Sequence, residues 1–342
     1  MTRLWLRHEV RSTERRAAVV PTDAARLVAA GHQVTVERSP QRVFPTGEYL
    51  TAGCTIAPAG SWVDAPADTY VIGLKELPDE PAALRHRHVY FAHAYKGQRG
   101  AAGLLRRFTA GGGTLLDLEH LTGEDGRRLV AFGYWAGYTG AALAVLHLRG
   151  TLEVPLRPGS RADLDIALAT PGERPRVLVV GALGRGGRGA RAACAVAGIQ
   201  PTSWDIAETS RLDRPALLAH DILVNAVFST GPVTPLLTEA DLDDPAGELR
   251  VISDVTCDVT SDCNILPVYD RVTSWQEPAR ALRRGERPVH IIAIDNLPSL
   301  LPWEASAAFS AELGRHLLDL DSAPWQRAAR RFRTAVKENA HA

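Results

Sequence analysis

The sequence predicts an α/β chain of two units, each a parallel sheet flanked by helices, with a cleft between them. Three observations carry that expectation. The length of 342 residues exceeds one ordinary domain and suits two. Short apolar runs rich in β-branched residues alternate with Ala-rich stretches, the pattern of repeated βαβ crossovers. A glycine-rich turn after Val177–Val180 restarts that series near mid-chain.

In the first third, strands are expected at Leu4–Arg7, Gln33–Glu37, Thr69–Leu74, Val89–Ala92 and Thr114–Asp117. Helices are expected at Thr22–Ala30 and Ala101–Ala110, closed by Gly31 and Gly111, because glycine adopts the left-handed C-cap without strain. A long amphipathic helix follows at Ala136–Leu148. Four prolines (155, 158, 171 and 175) mark Arg149–Pro175 as loop-rich. The second series comprises Val177–Val180, a helix over Gly187–Ala197, then Ser203–Asp205, Ile222–Ala226, Val251–Asp254 and His290–Ile294. Two helices, Glu304–Leu318 and Trp325–Lys337, close the chain and could return to the first unit.

Composition bounds the function classes. Net charge is +0 and the pI about 7.2, which offers no footprint for nucleic acid or an anionic membrane. Cys54, Cys194, Cys257 and Cys263 include no CxxC pair, so no metal site or disulfide framework is expected. Charges at Arg3, Arg7 and Glu9 interrupt any leader-type apolar run, and no stretch of about 18 apolar residues occurs. The expected location is cytoplasmic, the expected partners are small molecules, and the chain is expected to be a monomer or a small homo-oligomer.

The segment Val177-Leu-Val-Val-Gly181-Ala-Leu-Gly184-Arg-Gly186-Gly187-Arg-Gly189 runs from a buried strand through a turn into a helix. A pyrophosphate needs that arrangement: a tight turn, a backbone without Cβ, and the positive end of a helix. Gly184, Gly186 and Gly189 spell a literal GxGxxG. Gly181, Gly184 and Gly187 place the first glycine directly after the strand, and this register is preferred. Asp205 ends the next strand, 24 residues beyond Gly181, where a carboxylate would accept from ribose hydroxyls and repel a 2′-phosphate. The expected cofactor is therefore NAD.

Of 39 basic residues only Lys75, Lys96 and Lys337 are lysine; the other 36 are arginine. Arginine keeps its proton in a protein, whereas lysine can release one. Lys75 ends Tyr70-Val-Ile-Gly-Leu-Lys75-Glu76, and His93 follows the strand at Val89-Tyr-Phe-Ala-His93. Parallel strands deliver their C-terminal ends to one edge, which sets Lys75 and His93 side by side for acid–base work. Glu119 is another acidic strand end, in Leu115-Leu-Asp-Leu-Glu119. Arg15-Arg16 suits either bidentate carboxylate binding or a helix-flanking surface, and Arg127-Arg128 reads most simply as a solvated pair.

Together these motifs amount to a resemblance. Glu14-Arg-Arg16, Ile72-Gly-Leu-Lys-Glu76, Phe91-Ala-His-Ala-Tyr-Lys96, Asp117-Leu-Glu119, Gly126-Arg-Arg128, Gly181-Ala-Leu-Gly-Arg185 and Ile294-Asp-Asn-Leu-Pro-Ser-Leu-Leu-Pro302 follow in order. Their series resembles the lysine-forming, NAD-dependent saccharopine dehydrogenases, relatives of alanine dehydrogenase. The resemblance implies two Rossmann-like domains: a discontinuous catalytic domain, residues 1–132 plus 304–342, around an NAD-binding domain, residues 133–303. It implies oxidation of a secondary amine to an imine, which water splits into an amino acid and a 2-oxo acid. By the same resemblance, Lys75 takes the amine proton and His93 serves imine hydration and collapse. Glu76 and Glu119 tune the pair, Arg16, Lys96 and Arg128 hold substrate carboxylates, and Asp295 lies at the cofactor. The chain departs from the family pattern at Asp254–Asp258, at Thr260–Asn264 and at Trp303.

Overall fold

The computed structural model describes every residue except 96–99, 228, 230, 232, 258, 260–263, 285–286 and 341–342. The chain divides into two compact units, residues 1–131 with 302–342, and residues 132–301.

The first unit carries six strands: β1 (Arg3–Leu6), β2 (Gln33–Glu37), β3 (Thr55–Ala57), β4 (Tyr70–Ile72), β5 (Arg87–Tyr90) and β6 (Thr114–Asp117). They form one all-parallel sheet in the order β3-β2-β1-β4-β5-β6. The order reverses between β1 and β4, the position where α/β sheets open a crevice at their C-terminal edge. Most residues of β4 and β5, each flanked on both sides, are buried, as expected for a parallel sheet covered on both faces. The helices Pro302–Leu317 and Ala323–Ala340 belong to this unit. Ser306 and Ser310 of the first accept hydrogen bonds from the backbone N–H of Ala17 and Val20, both at 2.9 Å. Phe332 and Ala335 of the second join Trp62, Leu84, Phe108 and Leu115 in the core.

The second unit carries β7 (Val177–Val180), β8 (Thr202–Trp204), β9 (Ile222–Asn225), β10 (Val251–Asp254), β11 (Arg280–Arg283) and β12 (Val289–Ile292), ordered β11-β12-β10-β9-β7-β8. Alternation along β7 sends Val177 and Val179 into one core layer and Leu178 and Val180 into the other. Two expectations are corrected here. The sheet is not wholly parallel, because the edge strand β11 runs antiparallel to β12. The helix Gly133–Leu148 is not amphipathic: Gly137 through Leu146 are all buried, packed among residues of the sheet and of the helix Arg185–Val196. The two helices meet backbone to backbone. A Cβ on Gly137 would lie 1.8 Å from the Gly186 carbonyl oxygen, and one on Gly189 would lie 1.9 Å from that of Tyr134. The proline-rich stretch also holds a helix, Arg161–Ala169, whose N-cap Ser160 accepts from the Asp163 N–H.

Candidate active site

Parallel pairing of β1, β4, β5 and β6 delivers four chain segments to one edge of the first sheet: residues 7–9, 73–76, 91–93 and 118–119. Each carries ionisable groups. Lys75 follows β4 and is half-buried. The neighbouring segment is tied to it where the Phe91 N–H donates to the Leu74 carbonyl at 3.3 Å. His93 sits at φ 50, in the left-handed region, which histidine visits more readily than most residues and which costs about 1 kcal/mol or more. The turn aims its ring at the segment after β6, where Nδ1 lies 3.3 Å from Glu119 Oε2. Arg128 approaches the other oxygen of Glu119 at 4.0 Å.

The electrostatics form a chain. Burial pulls the His93 pKa down, but the hydrogen bond and charge of Glu119 and the charge of Asp117 outweigh it, against opposition from Lys75, so it rises. Asp117 is buried, and burial together with the Glu119 charge pushes its pKa up to about 6. One of its oxygens accepts from the Glu119 N–H at 2.9 Å, while Oδ2 is buried with no hydrogen-bond partner. A His–Glu pair backed by a second carboxylate can hold and pass a proton near neutrality.

Other expected residues are placed differently from one another. Glu76 points away into a two-pronged pair with Arg11, at 2.9 and 3.0 Å. Partial burial raises its pKa, but Arg11 outweighs that and holds it low. Arg16 is buried, and its Nε and Nη2 grip the Glu14 carboxylate at 2.8 and 2.6 Å. Burial favours the neutral acid at Glu14, yet Arg16 and then Lys75 keep its pKa below the usual value. Lys96 lies outside the described residues, as do Asp258 and residues 260–263 of the altered run. Arg7, Glu9 and Asp117 are given no functional role by the sequence, although each directly follows or ends a strand of this edge. That position was the available signal.

In the second unit, Gly181 follows β7 at φ 78, a turn that favours glycine. Gly184 caps the helix Arg185–Val196, and a Cβ on Gly187 would lie 2.2 Å from the Gly181 oxygen. The register Gly181, Gly184, Gly187 therefore serves turn, exposed cap and close packing in that order. Asp205 follows β8, and its Oδ2 accepts the Leu183 N–H of the glycine loop at 2.9 Å. Loop, helix start and carboxylate thus form one cradle at the positive end of that helix. These residues fit a dinucleotide. Asp295 follows β12 at the same sheet edge, exposed and three strands from β7. Among the described residues no cluster suits a metal ion, and no helix is long and apolar enough to cross a membrane.

The family described as alanine dehydrogenase/PNT, N-terminal domain, matches residues 5–139. A saccharopine dehydrogenase of Neurospora crassa, described as NAD(+) and L-lysine-forming, is 42% identical, with 97% of this chain and 95% of the relative aligned. Its namesake in Schizosaccharomyces pombe is 39% identical, covering 98% of each chain. Among solved structures, an L-alanine dehydrogenase aligns over 99% of both chains with a TM-score of 0.69 at 16% identity. A transhydrogenase from Sinorhizobium meliloti aligns over 93% of both, with a TM-score of 0.64 and 16% identity. At that identity the two structures speak to the fold alone.

Proposed function

The chain belongs to the NAD-dependent, L-lysine-forming saccharopine dehydrogenases, and on that premise we propose that it interconverts saccharopine with lysine and 2-oxoglutarate. One observation carries the reading. Lys75 and the His93–Glu119 pair emerge from adjacent ends of one parallel sheet, as an amine-to-imine oxidation followed by hydrolysis requires.

NAD, held by Gly181, Gly184, Gly187 and Asp205, supplies the hydride acceptor when bound. Lys75, in its neutral form, takes the proton from the secondary amine as the C–H bond breaks. His93 then receives a proton from the water that adds to the imine carbon and returns it to the departing amino group. Glu119 keeps the imidazolium stable between those steps, and the adjacent Arg128 offers a cation to a substrate carboxylate. Arg16 acts through Glu14, setting the charge that faces Lys75. Glu76, paired with Arg11, serves as a fixed negative charge next to the lysine. Asp295 and Lys96 complete the set as cofactor-side and substrate-side groups.

The test is NADH oxidation with 2-oxoglutarate and a panel of lysine, ornithine and ammonia, for the parent protein and for Lys75→Met and His93→Gln. Lysine with 2-oxoglutarate should consume NADH, and each variant should lose most of the rate. Full activity in the double variant would remove both assignments. Turnover of ammonia with pyruvate alone would move the chain to a primary-amine dehydrogenase.

A further inference from the structure

We propose that Glu9 and Arg7 are positioning residues that fix the backbone of Lys75, and so the place of its amine. The proposal rests on the reading of Lys75 given above. β1 and β4 pair in parallel, with Leu6 opposite Ile72, so the segments that leave them run side by side. The Arg7 N–H extends the pairing by donating to the Ile72 carbonyl at 3.0 Å. Beyond that point the β5 side still ties the segment through Gly73 N–H to the Val89 carbonyl and Phe91 N–H to the Leu74 carbonyl, while on the β1 side the contacts that continue, among the described residues, are made by side chains.

The Glu9 carboxylate accepts two consecutive backbone N–H groups, Leu74 to Oε1 at 2.7 Å and Lys75 to Oε2 at 3.0 Å. The Arg7 guanidinium donates to the Lys75 carbonyl and closes on Glu9 Oε2 at 3.2 Å. Both polar groups of the Lys75 peptide backbone are therefore held by one buried ion pair. Arg7 is 2% exposed and Glu9 7%. Gly73 is part of the device, since a Cβ there would lie 2.3 Å from Arg7 Nε. The guanidinium also lies 5.7 Å from the centre of the Tyr90 ring, which braces it from β5.

A buried ion pair is a poor way to stabilise a fold, because desolvation offsets the attraction and apolar packing does as well. It is a good way to fix an angle. Two N–H groups on one carboxylate and a carbonyl on its partner leave the 73–75 segment a single arrangement. Small displacements of a reacting group cost rate rather than affinity, about a hundredfold for 1 Å.

The test is kinetic. Glu9→Gln keeps the shape but offers one acceptor where two N–H groups point. It should lower kcat with lysine and 2-oxoglutarate by roughly 10- to 100-fold. KM for 2-oxoglutarate and Kd for NADH should change by less than about threefold, because neither ligand depends on the Lys75 amine for uniform binding. In a Lys75→Met background the same change should cost less than about twofold, since the group being positioned has gone. The uncharged pair Arg7→Gln/Glu9→Gln repeats the measurement without a lone buried charge, should the single variant fail to fold. Losses that multiply in the Lys75→Met background would overturn the proposal, as would a kcat within twofold of the parent in both variants. An active Lys75→Met would overturn the reading of Lys75 itself, whatever Glu9 does.

Discussion

Replacing Gly187 by alanine tests the glycine register most directly. The added methyl would lie 2.2 Å from the Gly181 carbonyl oxygen, 2.4 Å from the Ala182 Cα and 2.6 Å from the Ala182 carbonyl carbon. All three are backbone atoms, so no side chain can swing aside. Against an optimal separation of about 3.5 Å, helix and loop must part by about 1 Å. Overpacking of this kind costs roughly 1–3 kcal/mol, which in a unit of this size lowers Tm by about 3 to 10 °C. On the proposed binding mode the same displacement would spoil at least one N–H contact to the cofactor pyrophosphate. A hydrogen bond to a charged group contributes about 1.5–3 kcal/mol, so Kd for NADH should weaken by roughly 10- to 100-fold. Gly184→Ala is the control for stability, because its methyl meets only the Gly181 oxygen, at 3.3 Å, and its φ of −69 suits any residue. Thermal melting and titration of NADH by protein-to-nicotinamide energy transfer read both quantities. A Gly187→Ala protein with the parent's Tm and NADH affinity would refute the register, and so would a Gly184→Ala protein that melts lower than it.

Two further predictions concern buried titrating groups of the first unit. The Asp117 pKa lies at about 6 against 3.8 in a free chain, so its contribution is favourable at low pH and is lost as pH rises through 6. Above that pH the buried charge costs about 3 kcal/mol. Asp117→Asn should raise Tm at pH 8, with the gain shrinking toward pH 4. The acid limb of kcat should also move to lower pH, because a charge that favours the His93 imidazolium has gone; a variant that melts below the parent at pH 8 would contradict the assignment. His88 is fully buried among Trp62, His86 and Phe108, and neither ring nitrogen has a hydrogen-bond partner. Burial first, then the charges of Arg7, His86 and Arg107, hold its pKa well below 6.5. Stability from this group is whole above pH 6.5 and falls beneath it by up to about 1.4 kcal/mol per pH unit. His88→Phe should flatten the decline of Tm between pH 7.5 and 5.5, and an unchanged slope would sink the idea.

Much of the fold was legible because buried parallel strands write themselves plainly, as Val177-Leu-Val-Val180 does. Elements governed by position rather than pattern were not. Arg280-Ala-Leu-Arg283 has no apolar alternation and is a strand only because β12 offers it an edge. Thr55–Ala57 is three residues at the rim of the first unit's sheet. The helix Arg161–Ala169 hid between prolines, although Ser160 and Asp163 spell its cap. At the site, Lys75, His93 and Glu119 stood out because ionisable groups directly follow apolar strands. Glu9 did not, because its importance lies in N–H groups 65 and 66 residues away. Arg16 suited either a substrate carboxylate or a helix-flanking surface, and the fold adds that it grips Glu14.

The contact between the helices Gly133–Leu148 and Arg185–Val196 has a consequence for how a cofactor arrives. With main chain pressed on main chain, the start of the second helix has no room to fray, and the loop that feeds it inherits that rigidity. The cradle is thus assembled during folding and waits finished. A dinucleotide entering it surrenders its own freedom and asks almost none from the protein. Its affinity is therefore set by the contacts it makes, and amide exchange at the helix start should be slow before any ligand is added.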